Sequence, residues 1–95
     1  MPLQKIIDED QRLRVLRILA EDRGHSHNVH VLRGALALLG HDVRADQAAA
    51  LVDWLASAGL VEITSEFPPV TARLTRRGLD VAEGRVVVPG VALPL

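Results

Sequence analysis

A chain of 95 residues, 48% of them hydrophobic, is sized for one domain with a modest core and is too apolar to stay disordered. It has no cysteine, which excludes disulfides, thiolate metal sites and a thiol nucleophile. Eleven Lys+Arg against twelve Asp+Glu give a formal net charge of −1, without the basic excess that neutralising phosphates asks of a dedicated nucleic-acid binder. One Phe, one Trp and no Tyr require the core to be built from Leu, Val, Ile and Ala. No apolar run reaches the ~20 residues of a membrane-spanning helix. The start, MPLQKIIDEDQ, lacks a secretory apolar region, so a cytoplasmic protein without membrane contact is expected.

The first helix is expected to begin near Asp8 to Asp10, where carboxylates suit the positive end of the helix dipole. Leu13, Val15, Leu16, Leu19 and Ala20 then share one face, opposite Arg14, Arg17 and Glu21. Arg12 lies beside the apolar arc with its stem snorkelling to solvent. The segment Glu21 to Gly24 ends the helix, with Gly24 available for the left-handed conformation. His25 to Asn28 read as a loop, and Ser26 or Asn28 can cap the next helix.

That second helix covers Val29 to Leu39, with Val31, Leu32, Ala35, Leu36, Leu38 and Leu39 inward, and Gly40 closes it. After a very short connector, a third helix runs from Arg44 to Gly59. Its apolar side holds Ala48, Leu51, Val52, Trp54, Leu55 and Ala58; its outer side holds Asp46, Ala49, Ala50, Asp53 and Ser57. Leu60 to Glu66 and Val70 to Thr75 alternate as strands around Phe67-Pro68-Pro69, whose prolines cannot continue a ladder. Thr75 caps a short fourth helix, Arg76 to Glu83, stopped by Gly84. The remainder, RVVVPGVALPL, is apolar and a poor helix. It either lies along the domain or docks on another chain.

Helix, tight turn, helix and hairpin is the order of a winged helix-turn-helix, an α+β and mostly helical fold. The expected organisation is a winged-helix domain over residues 1–84, with three core helices, a two-stranded wing and a short C-terminal helix, followed by an extended apolar tail over 85–95. In that fold the third helix is offered to the major groove of double-stranded DNA. Arg44 can then reach a guanine or a phosphate, Gln47 an adenine edge and Ala50 a thymine methyl. Arg73, Arg76 and Arg77 lie by the wing, and Arg33 on the second helix joins a phosphate-contacting rim. Against this stand Asp46 and Asp53 on the same outer face. Ordinary solvated arginines are the plain alternative for the whole set.

His25, His27 and His30 form the one metal-like cluster. Without a matching Cys or an HExxH spacing, loop histidines are the simpler reading, and no metal or cofactor is expected. No nucleophile elbow, phosphate loop or catalytic carboxylate pair is present, and no enzymatic activity is expected.

The segments DQRLRVLRILAED (Asp10 to Asp22), ALALLGHDV (Ala35 to Val43), DWLASAGLV (Asp53 to Val61) and LTRRGLDVAEGRVVVPGV (Leu74 to Val91) resemble a family of small proteins of Mu-like transposable phages, often labelled ArsR-like transcriptional regulators. The resemblance covers about Asp10 to Val91. It implies a phage-encoded winged helix, a DNA-binding regulator or an accessory to phage DNA handling. Because a single winged helix has a small footprint, a homodimer paired through the tail or the first helix is expected. The metal-sensing residues of ArsR repressors have no counterparts in this chain. The other expectation is a protein–protein interaction or assembly adaptor with a phage protein partner, motivated by the acidic third helix and the uncharged tail.

Overall fold

The computed structural model describes residues 2–94. Its elements in chain order are α1 (Leu3–Glu21), β1 (Ser26–Asn28), α2 (Val29–Leu38), α3 (Ala45–Ser57), β2 (Val61–Ser65), β3 (Thr71–Leu74) and α4 (Arg76–Ala82). The result is a mostly helical α+β domain with a three-stranded antiparallel sheet in the order β1-β3-β2. No helix among the described residues is long and apolar enough to cross a membrane.

Helix α1 starts at Leu3, ahead of the expected Asp8 to Asp10. Pro2 takes the cap position and its carbonyl accepts from the Lys5 N–H at 3.2 Å. Leu3 and Ile6 on these first turns are exposed, so they carry none of the core periodicity by which a helix is read. From Leu13 onward the pattern is as expected: Leu13, Val15, Leu16 and Leu19 are buried.

The stretch after α1 departs from the expected loop. His25, not Gly24, adopts positive φ (53°), and Ser26–Asn28 pair with β3, Ser26 opposite Arg73 and Asn28 opposite Thr71. The Leu74 N–H donates to the His25 carbonyl at 2.8 Å and the Val29 N–H to the Val70 carbonyl at 2.9 Å, so the pairing runs past both ends of the strand. The sheet is therefore three-stranded rather than a two-stranded hairpin.

Asn28 caps α2 as expected, its Oδ1 accepting from the Val31 N–H at 3.0 Å. The inward stripe of α2 is Val29, Leu32 and Leu36. Val31, Leu38 and Leu39, expected inward, are exposed, and Leu38 is 90% so. Leu38 lies about 200° around the helix from Leu36, and α1 with α3 covers only the narrower arc. Helices α2, α3 and α4 all end in the same device: Gly40, Gly59 and Gly84 take positive φ. The N–H of each glycine and of the residue after it donate back to carbonyls of the last turn, as in His41 to Leu36 (2.8 Å) and Leu60 to Leu55 (2.9 Å). Arg44 and Ala58 are the caps of α3 rather than members of it.

The core is aliphatic, with no buried polar or charged residue among those described. Leu16, Leu19, Leu32, Leu36, Leu55 and Leu60 are its fully enclosed centre, each such leucine contributing about 1.5–3 kcal/mol by burial. Thr75 joins α4 to the end of α3. Its Oγ1 donates to the Gly59 carbonyl (2.7 Å) and accepts from the Gly78 N–H (3.0 Å). The tail lies along its own domain in turns. Pro89-Gly90 forms the corner of a turn closed by the Val91 N–H on the Val88 carbonyl (3.2 Å), and the Ala92 N–H reaches the Glu9 carbonyl of α1 (3.1 Å). Val88 and Val91 enter the core.

Candidate functional site

Helix α3 presents Asp46, Gln47, Ala50, Asp53 and Ser57 to solvent, because Ala48, Leu51, Val52 and Leu55 are drawn inward. Arg44, at its N-cap, turns back on the first turn: Nε meets Asp46 Oδ1 at 3.0 Å and Nη2 meets Oδ2 at 3.3 Å. The Arg44 hydrogen bond holds the Asp46 carboxyl below its ordinary pKa. Gln47 is engaged as well, its Oε1 accepting from the Arg44 backbone N–H at 2.9 Å. This is half of a capping box, with arginine in place of the usual hydroxyl residue. Only Ala50, of the three positions expected to face base edges, is free of a partner.

The other expected contacts lie elsewhere. Arg73 stands directly opposite Glu62 across the strands and donates to it at 2.9 Å. Arg76 approaches Asp80 at 3.7 Å, while Asp80 also takes Arg85 at 2.8 Å. Arg77 is exposed and makes no ion pair among the described residues. All three sit at the base of the β2–β3 hairpin or beyond it. Its tip, Glu66 to Pro69, carries no cation and exposes Phe67 to 85%. Arg33, expected on a phosphate-contacting rim, is half-buried, and its Nε donates to the Val43 carbonyl at 3.0 Å, which pins the α2–α3 connector.

Since Thr75 abuts Gly59, Arg76 and Arg77 fall at the C-terminal end of α3 and Arg44 at the other. The 13 residues of α3 separate these groups by roughly 20 Å. The expected basic set is thus two clusters with aspartates between them, not a stripe.

The histidine run does not converge. His27 pairs with Asp22 (3.4 Å), His30 faces solvent on α2, and no group of three His, Asp or Glu side chains among the described residues is placed to hold a metal. His41 instead makes the close polar contact, 2.6 Å from Asp10 Oδ2. Arg14 flanks the same carboxylate at 3.5 Å. Partial burial raises the Asp10 pKa, but the His41 hydrogen bond and the Arg14 charge outweigh it and the carboxyl is lowered overall.

A feature without sequence signal lies between α1 and α3. The Arg12 guanidinium covers the Trp54 ring at 4.0 Å and donates through Nη1 to the Gly90 carbonyl at 3.0 Å. The Gly90 Cα rests so close to the ring that a Cβ would come within 2.6 Å of Trp54 Cζ2. Beside this stack opens a groove of about 470 Å³ floored by Ile7, Ala50, Leu51 and Trp54.

Protein gp26 of Escherichia phage Mu, described as uncharacterized, is 39% identical to this chain over 92 residues, 97% of this chain and 95% of that one. The chain belongs to the Mu gp26 family. An uncharacterized protein of Haemophilus influenzae (strain ATCC 51907 / DSM 11121 / KW20 / Rd) is 38% identical over 63 residues, 66% of this chain and 61% of its own. No family model matches the chain, and no solved structure matches it. The phage kinship expected of the four quoted segments therefore holds for gp26 itself, and the ArsR-like label gains no support from it.

Proposed function

We propose that this member of the gp26 family is a non-catalytic phage adaptor built as a winged helix-turn-helix, which docks a protein partner on the outward face of α3. The element order supports the winged helix: α1, β1, α2, α3 and a hairpin whose second strand pairs with β1. The observation that carries the adaptor is electrostatic. Asp46 and Asp53 occupy the face that a DNA reader would press against phosphates, and Arg44 and Arg73 each stand beside a carboxylate, Asp46 and Glu62. Fold alone does not choose between these uses. Fluorescence anisotropy with duplex DNA at low salt tests the reading. The expected result is no salt-dependent binding at micromolar protein; tight binding that weakens steeply with salt would overturn it.

The second reading, a DNA-binding transcriptional regulator, is favoured by the same element order and by the free Arg77. Exposed ion pairs are worth only about 0–1 kcal/mol, so Arg44 and Arg73 can exchange carboxylate for phosphate at small cost. For twofold pairing we propose the exposed ridge of Val31 and Leu38, with Leu3 and Ile6 of the first helix as the other exposed apolar surface; in the tail, Val88 and Val91 lie in the chain's own core. Sedimentation of Leu38→Lys beside the wild type reads this: a lighter particle is expected, and an unchanged mass removes the ridge from consideration.

A further inference from the structure

We infer that the groove between α1 and α3 receives a basic amphipathic segment of a partner protein, an apolar side chain entering the floor while flanking Lys or Arg side chains meet the aspartates at the rim. The inference rests on the adaptor reading and names the chemistry of its partner. The floor is apolar at Ile7, Ala50, Leu51 and Trp54, and Ala50 leaves the α3 backbone open to close approach. Asp8, from α1, and Asp42, from the α2–α3 connector, line the same groove.

Arg12, the one cation among the groove's lining residues, lies over the Trp54 ring and donates to the Gly90 carbonyl; both partners are uncharged, so it offsets one of the two aspartates, and Asp8, Asp42 and Arg12 together leave the lining at −1. Gln47 lends its Oε1 to the Arg44 backbone, and its amide N–H groups stay available to a peptide carbonyl. An apolar floor, acidic rim and spare amide donors are what a helix-in-groove contact uses for anchor, selectivity and register. A groove of about 470 Å³ has room for a few side chains, not for a small folded unit. A nucleic acid meets the wrong sign of charge here, and an acidic peptide meets the same repulsion.

Trp54 is the single tryptophan of the chain and lies on the groove floor, so its emission and indole N–H resonance are built-in reporters. The probe is a helical peptide of about 18 residues made of Leu and Lys, with a Leu/Glu twin of the same pattern. The full chain should bind the Leu/Lys peptide with a salt-dependent shift of the Trp54 indole signal and should leave the Leu/Glu peptide unbound. Asp8→Asn with Asp42→Asn should weaken the Leu/Lys peptide about tenfold. Glu21→Gln with Glu66→Gln, the same change of net charge away from the groove, should not.

Equal binding of both peptides, equal loss in both double variants, or a Trp54 signal that moves with protein concentration alone would overturn the inference, the last assigning the groove to a second copy. Absence of both peptide binding and DNA binding would remove the groove while leaving the adaptor reading standing. Tight, salt-dependent DNA binding would remove the reading itself.

Discussion

Replacing Gly90 with alanine tests how firmly the tail is fastened. Gly90 has φ of 95°, a conformation that costs an L-residue about 1–2 kcal/mol. The new Cβ would lie 2.6 Å from Trp54 Cζ2 and 2.9 Å from Cη2, well inside the roughly 3.5–4.0 Å of a comfortable carbon contact. Either the ring or the turn must move by about 1 Å. Movement of the turn strains the Arg12 bond to the Gly90 carbonyl, where a hydrogen bond to a charged group contributes about 1.5–3 kcal/mol at most. Movement of the ring disturbs the Arg12–Trp54 stack, worth about 0.5–1 kcal/mol at a half-exposed site. Since one of the two gives way rather than both, the expected loss is about 2–4 kcal/mol. For a domain of this size that lowers Tm by roughly 10–30 °C. Urea unfolding followed by Trp54 emission and by far-UV circular dichroism measures both the loss and its place. A Gly90→Ala chain as stable as the wild type, with unchanged native emission, would refute the description of the tail as a packed clasp.

The same substitution at other glycines should give different signs. Gly34, in the middle of α2, has open space where a Cβ would stand, with nothing within 4 Å, so Gly34→Ala should stabilise by about 0.5–1 kcal/mol in urea unfolding; a loss would mean that α2 packs differently. Gly78→Ala places a Cβ against the Leu60 carbonyl oxygen and within 2.7 Å of Leu74 Cδ1. That carbonyl is held by the Thr75 N–H, so a loss of about 3 kcal/mol is expected, and a neutral result would contradict the α4 docking. For Asp10 the folded pKa is the depressed one. Its stabilisation is therefore complete above the unfolded value near 4 and is lost as pH falls through the folded value. Tm measured against pH should show a shallower acid limb in Asp10→Asn; an unchanged slope would separate Asp10 from acid stability.

Long amphipathic stretches were legible because burial follows their spacing: Leu13, Val15, Leu16 and Leu19 on α1, and Ala48, Leu51, Val52 and Leu55 on α3, are buried as the periodicity implies. Caps with local hydrogen bonds, Asn28 and Thr75, were legible for the same reason. Strand β1 was not, since Ser-His-Asn has no alternation and owes its conformation to β3, far along the chain. Nor was the orientation of Leu38, where an unbroken apolar run offers more hydrophobic surface than its neighbours can cover. At the candidate site, residue type placed Arg44 and Gln47 correctly at the start of α3. Their engagement with Asp46 and the cap depends on side-chain geometry. Arg33 read as a surface cation because its acceptor is a backbone carbonyl, which any residue at position 43 would supply.

The clasp made by Arg12, Trp54 and Gly90 also sets an order of events. Arg12 and Gly90 are 78 positions apart, and a contact of that separation repays its loop-closure entropy only once the intervening chain is folded. During synthesis α1 emerges first, yet the residues that fasten it arrive after every helix and strand between them has been made. A chain that stops at Gly84 has the sequence of all four helices and of the sheet, yet it lacks the Gly90 carbonyl that accepts from Arg12 and the Ala92 N–H that donates to Glu9. Val88 and Val91 thus complete the core from the last part of the chain to be made. Gly90 lines no part of the α1–α3 groove; it bears on the surface a partner would meet only through Arg12 and Trp54, the two groove residues it touches.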